Sequence, residues 1–194
     1  MAITYTVDAS DLLKKTERLA KFPLKTRRAM ANALNRGLNR VSTNVVKEVA
    51  KEYDVVQGQV KKTITRRRAN TSNLLAEAIV SDKRLKLGSF KFRYKRNQQR
   101  SPVSVRVKKS NGFTTSNSTP ALFAGRSKAT GRVEIFRRDP SGQFDIEYPF
   151  TLSIPQMVEN DKVYQAIAED AADFIQKRFE HELEHQLRKT LGTV

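Results

Sequence analysis

Residues 181–185 read HELEH, an H-E-x-x-H pattern. Two histidines four apart on a helix share a face, so both imidazoles can reach one metal ion. The intervening glutamate, Glu182, then stands where a general base for zinc-assisted peptide hydrolysis is needed. The rest of the sequence does not complete such a site. His181 and His185 are the only histidines and there is no cysteine, so a third ligand must be a carboxylate. Only nine residues follow His185, and none is acidic. At about 100° per residue, the two histidines fall opposite Phe179, Leu183 and Leu187, among Arg178 and Arg188. A catalytic zinc needs a walled site with supporting hydrogen bonds, not an open cationic face. The segment also carries Glu180, Glu182 and Glu184, a composition in which the pattern arises easily. The zinc peptidase is therefore the weakest of the functional readings, and no catalytic, metal or cofactor-binding residue is assigned.

No other catalytic pattern takes its place. The sequence has no phosphate-cradling glycine loop, no G-x-G-x-x-G and no G-x-S-x-G. The Gly125-Arg126-Ser127 and Gly131-Arg132 steps read as turns. No triad is singled out, since both histidines lie far along the chain from the serine-rich segment. The expectation is a protein that is not an enzyme and needs no cofactor.

The elements that carry these residues follow from periodicity. Asp8 to Lys21 is a short amphipathic segment, broken at Phe22-Pro23. Pro23 then opens a long helix reaching about Tyr53. Along it Leu24, Ala31, Leu34, Leu38, Val41, Val45 and Val49 recur at three- and four-residue steps. Ala29, Ala31, Ala33 and Gly37 leave room for a close neighbour. Val55 to Ile64 has room for a short helix ending in Arg66-Arg67-Arg68. From Leu74 the period becomes two. LLAEAIVS, FKFRYK, VSVRV, RVEIF and FDIEY read as strands, the last two joined by a turn at Asp139–Gly142. In FKFRYK, Phe90, Phe92 and Tyr94 oppose Lys91, Arg93 and Lys95, so the aromatics point to the core and the cations outward. The polar segment near 108–120 reads as a mobile loop. Ser153 and Gln156 have capping-box spacing, and a second start at Asn160-Asp161 opens a helix to about Leu191, stopped by Gly192.

The order helices, strands, helix predicts an α+β fold. One antiparallel sheet of about five strands is packed by a long N-terminal and a long C-terminal helix. A single domain, 1–194, contains N-terminal helices (1–54), a basic β-rich middle (55–150) and the C-terminal helix (151–194). The N-terminal residues MAITYTVDASDLLKK lack the pattern of a secretory signal, and no run approaches the ~18 apolar residues of a membrane span.

Charge is the most unusual property. The formal net charge is +17, and its distribution is uneven. Residues 1–54 hold 11 basic and 6 acidic side chains, residues 55–133 hold 19 and 2, and residues 134–194 hold 7 and 12. The net values are +5, +17 and −5. A single-sign region of this size repels itself, and this points to an acidic partner. The expected basic surface comprises Arg66, Arg67, Arg68, Lys83, Arg84, Lys86, Lys91, Arg93, Lys95 and Arg96. The acidic counterpart is Glu180, Glu182 and Glu184 on the last helix, so like subunits could pair head to tail. A solvated basic surface is the plainer alternative.

Four segments, in order, resemble the minor tail protein Z family of long-tailed phages. They are AMANALNRGLNRVSTNVVKEVAKEYDV; VKKTITRRRAN with LLAEAIVSDKRLKLGSFKFR; VSVRVKKSNGF with ALFAGRSKATGRVEIFRR; and SIPQMVENDKVYQAIAEDAADFIQKRFEHELEHQLRKTL. The likeness covers nearly the whole chain, and the loop at 110–120 departs from it. The resemblance implies a virion structural protein made in the host cytoplasm, a tail completion or neck subunit. It implies action late in tail assembly, at the head-proximal end, in joining tail to head. It further implies a homo-oligomeric ring, with six copies as the expected number. The implied neighbours are the tail terminator, the tail tube and the head–tail connector, with transient contact with the phage genome and no membrane. The alternative, a basic nucleic-acid-binding protein, rests on Arg66–Arg68 and on the aromatic and basic alternation of FKFRYKR.

Overall fold

The computed structural model of the chain describes residues 2–6, 24–95, 102–116, 120–139 and 145–191. The expected segment at Asp8–Lys21, the helix opening at Pro23, Arg96, most of the turn after Asp139, and Gly192 lie outside the described residues. So do the side chains of Leu183 and Leu187.

A first strand, β1 (Ala2–Thr6), precedes the long helix α1 (Leu24–Glu52). A short helix α2 (Gln57–Lys62) leads into β2 (Ile64–Arg67) and β3 (Glu77–Ser81). Then come β4 (Arg84–Lys86), a 3-10 turn at Leu87–Ser89, β5 (Lys91–Arg93), β6 (Ser104–Arg106) and β7 (Thr114–Thr115). Strands β8 (Leu122–Arg126), β9 (Val133–Arg138), β10 (Ile146–Glu147) and β11 (Phe150–Ser153) follow. The described chain closes with α3 (Ile154–Val158) and the long helix α4 (Asp161–Leu191).

This is the α+β arrangement expected, with one refinement. The strands form four small antiparallel sheets, ordered β1-β3-β2, β10-β9-β8, β11-β4 and β5-β6-β7, rather than one sheet of about five. The division has local causes. The 3-10 turn separates β4 from β5, and its Gly88 lies so close to β9 that a Cβ there would sit 3.3 Å from the Ile135 amide nitrogen. The register of β11 on β4 also shifts between Phe150 and Ser153. The segment between 108 and 116, expected as part of a mobile loop, is the return of a hairpin: Gly112 takes a positive φ and Thr115 pairs with Ser104.

The two long helices pack on one another as an antiparallel pair. Rising positions on α1 (Arg36, Gly37, Arg40) meet falling positions on α4 (Glu182, Ile175, Asp170). Gly37 makes this possible, since a Cβ there would lie 2.4 Å from Ile175 Cγ1. The small-residue stretch thus receives its close neighbour, and Ala29, Ala31 and Ala33 are buried beside it. Leu34, Leu38, Val41, Val45 and Val49 continue the buried stripe, and Val163, Ile167, Ala171 and Ile175 answer it at four-residue steps on α4. The same core takes in Ala78 and Val80 of β3, and Ile154 and Met157 of α3. Removing such side chains from water is the main stabilising term.

The capping box holds as expected. The Gln156 amide donates to Ser153 Oγ, and the Ser153 amide donates to Gln156 Oε1 at 2.9 Å. It turns the chain from β11 into α3 and so sets the entry of α4.

Candidate assembly surfaces

The HELEH segment lies on α4, near its C-terminal end. His181 and His185 are exposed. Glu182 is not on the same open face. It is 5 % exposed and pairs with Arg36 of α1, Nη1 to Oε1 3.0 Å. The residue placed as the hydrolytic base is thus neutralised inside the helix pair. Among the described residues, no group of three or more histidine or carboxylate side chains could share a metal ion. Glu182 also departs from the expected acidic surface. Glu180 and Glu184 are exposed, but Glu182 is held by α1 and is not free for a partner.

A second cluster clamps the helix pair nearer the middle of α1. Arg40 donates two hydrogen bonds of 2.8 Å to Asp170, and Asn44 donates a third at 2.5 Å. The hydrogen bond from Arg40 holds the Asp170 carboxyl below the usual carboxylate range, against a smaller opposing effect of burial. The same pairing raises the Arg40 guanidinium. At the end of α1, Tyr53 is buried, and burial pushes its phenol up.

The sequence-assigned basic residues do not form one stripe. Among those described, Arg66 and Arg67, Arg84 and Lys86, and Lys91 and Arg93 lie on strands of three different sheets, and several are already engaged. Arg66 and Arg67 belong to β2, an edge strand of the β1-β3-β2 sheet. Arg66 donates to Asn39 Oδ1 at 3.0 Å, and Arg67 pairs with Glu77 at 3.4 Å. Arg68 follows, exposed. Cations on an edge strand discourage pairing with the edge of another copy, a structural reason for this run independent of any partner.

Lys83 and Arg84 are exposed at β4. Lys86 pairs with Glu134 at 3.7 Å and lies over the Tyr148 ring, 3.4 Å from its centroid. Lys91 reaches Asp54 at 3.8 Å, and Arg93 stacks over Phe113 at 4.0 Å. Lys95 is exposed. The aromatic side of FKFRYK is graded. Phe90 is buried, Phe92 half-buried, and Tyr94 exposed and stacked on Phe92 at 6.0 Å.

Asp54 was not singled out by sequence. It is buried at the end of α1 and accepts from Arg106 of β6 as well as meeting Lys91. Phe113 lies under both Arg93 and Arg106. A groove that no sequence pattern marks is lined by Thr43, Val46 and Lys47 of α1, Lys61 of α2, and Ile64 and Arg66 of β2, with a cavity volume of about 390 Å3. Its residues come from three elements, so no local pattern announces it.

An α+β module with charged surfaces, clamped by a long antiparallel helix pair, is the class these features define. The chain belongs to the prophage minor tail protein Z family, whose model matches residues 13–193. It is accordingly a structural protein of a phage tail and a component of the virion. No curated protein and no solved structure matches it. Among the described residues, no helix is long and apolar enough to cross a membrane.

Proposed function

We propose that this tail protein is a tail completion subunit. In this reading it acts late in tail assembly, at the head-proximal end, as a ring around the tail axis that makes the tail competent to join a filled head. Its neighbours are the tail terminator, the tail tube and the head–tail connector, and the genome touches it only in passage. No catalysis is required of it. The observation that carries the reading is family membership in a chain whose charge is segregated. Arg66–Arg68 lie exposed on a sheet edge, while Glu180 and Glu184 lie exposed on α4. Opposite charges on separate surfaces suit ordered docking between subunits.

The test is charge reversal of Arg66, Arg67 and Arg68 to Glu, with circular dichroism to check that the variant folds. Folded variant protein should leave tails that fail to join heads. If infectious particles form normally, the reading is wrong. Labelling the protein on the particle tests the head-proximal position directly.

The second reading, a nucleic-acid binder, draws on exposed Tyr94 beside Lys95 and Arg93. It predicts binding of single-stranded DNA by the isolated protein, with a steep loss on adding salt. Lys91 and Arg93 already answer Asp54 and Phe113 within the chain, which weakens the case.

A further inference from the structure

We propose that the groove between α1, α2 and β2 receives the exposed face of α4 from a second copy of this chain. The inference rests on the reading of the protein as a ring subunit, and names the surfaces that close the ring.

The groove has an apolar floor and a cationic rim. Val46 and Ile64 are half-buried at its base, and Lys47, Lys61 and Arg66 are exposed around it. None of these three cations has a carboxylate at ion-pair distance among the described residues. Arg66 meets only the neutral Asn39. Beside the groove, Val56 is 63 % exposed at the start of α2. A phosphate backbone would satisfy the rim and leave the apolar floor and Val56 in water. An acidic amphipathic helix would satisfy both.

Such a helix face exists on the same chain. At about 100° per residue, Glu169, Asp173, Glu180 and Glu184 fall within about a 60° sector of α4, and all four are exposed. On one flank of them, Ala172 lies about 60° and Ala168 about 100° round the helix from Glu169, and both are exposed. The small alanines let a helix lie close to a floor built from Val46 and Ile64. The face turned to α1 carries Ile167, Asp170 and Ile175, so the acidic sector is free of the intramolecular helix pair.

The two surfaces differ, so the contact is heterologous, and repetition generates a ring or a filament. The alternative symmetric contact, β2 edge to β2 edge, would bring Arg66, Arg67 and Arg68 of two copies together and is disfavoured by like charge.

The chain has no cysteine, which makes a directed cross-link clean. Thr43→Cys marks the groove and Ala172→Cys marks the helix face; both sites are exposed. Mixing the two single variants under mild oxidant should give a disulfide-linked dimer carrying one chain of each kind. A chain with both substitutions should give a ladder of multimers. In parallel, sedimentation of Lys61→Glu and of Glu169→Lys/Asp173→Lys should each show self-association weakened at least about tenfold. Mixing the two reversed proteins should restore it.

If the wild type self-associates but the reversals and cross-links leave that unchanged, the groove is not the interface and the ring reading survives. If the wild type stays monomeric both alone and on tails, the ring reading falls and this proposal with it. If Lys61→Glu instead abolishes binding of a DNA oligonucleotide, the groove is a nucleic-acid site and the proposal is overturned.

Discussion

Arg36 of α1 and Glu182 of α4 form an ion pair that is unequal in its exposure. The Arg36 side chain is 48 % exposed, whereas Glu182 is buried. Removing one partner therefore differs from removing the other. Arg36→Ala leaves a charged carboxylate buried without its cation and should cost about 3 kcal/mol. Glu182→Ala leaves a cation that turns to water and should cost about 1 kcal/mol. The double substitution should be less damaging than Arg36→Ala alone. Urea unfolding of the three variants measures this, and equal costs for the two single changes would rule out the asymmetry.

The Arg40–Asp170 clamp gives the helix pair a pH dependence of defined sign. Asp170 titrates below the usual carboxylate value because Arg40 hydrogen-bonds its charged form. Its stabilising contribution is complete above the unfolded carboxylate pKa, about 4. It is lost as pH falls through the lower folded value. The raised Arg40 guanidinium adds nothing to this profile, since it stays protonated throughout. Asp170→Asn should therefore be less stable than wild type at neutral pH, with the gap closing in acid. Thermal midpoints from pH 7 down to pH 2 test it. A gap that stays constant would show that the carboxylate charge is not what Arg40 holds.

Gly37 is where the two helices come closest, so adding volume there must push Ile175 aside. Gly37→Val should destabilise by about 2 kcal/mol through overpacking, more than the helix-propensity gain over glycine returns. Ile175→Ala alone should cost about 3 kcal/mol by leaving a cavity. Combined, the two changes should fall well short of additive, because the valine occupies the space the isoleucine vacates. Chemical denaturation of the four proteins in the cycle is the measurement. Additive costs would place the contact elsewhere.

Much of the fold was legible because its signals are local. The apolar stripe from Leu34 to Val49, the spacing of Ser153 with Gln156, and the alternation of Phe90 and Phe92 with Lys91 and Arg93 are each set by residues close in sequence, although Tyr94, expected to face the core, is exposed. Where the structure departs from the sequence expectation, geometry accumulates over distance. On α4, successive four-residue steps lead from Ile175 to Phe179, Leu183 and Leu187. Each such step rotates the face by about 40°. The surface that meets α1 follows shorter steps, through Ile175 to Glu182, and so a residue expected on the open acidic face is buried. The division into four sheets was likewise invisible. A 3-10 turn at Leu87–Ser89 and a register shift at β11 leave each strand's own pattern intact. The groove and the Asp54 cluster join elements distant in sequence, and only tertiary packing brings them together.

Asp54 offers a test of how the β-rich middle is tied to the helices. Its side chain is 3 % exposed, accepts from Arg106 and meets Lys91, while its amide donates to the Val107 carbonyl at 3.0 Å. It therefore pins the β5-β6-β7 sheet to the end of α1. Asp54→Ala keeps the backbone bond and removes the shared anion. Arg106 is then left partly buried without its counter-charge, at a cost of about 3 kcal/mol. The loss should be local before it is global, since the α1–α4 pair keeps its own ion pairs and its close packing at Gly37 and Ile175. Hydrogen exchange should quicken most at Phe92 and Val105, and least at Leu38, Val41 and Val45. Uniform loss of protection across all five would mean that the middle and the helix pair unfold as one unit.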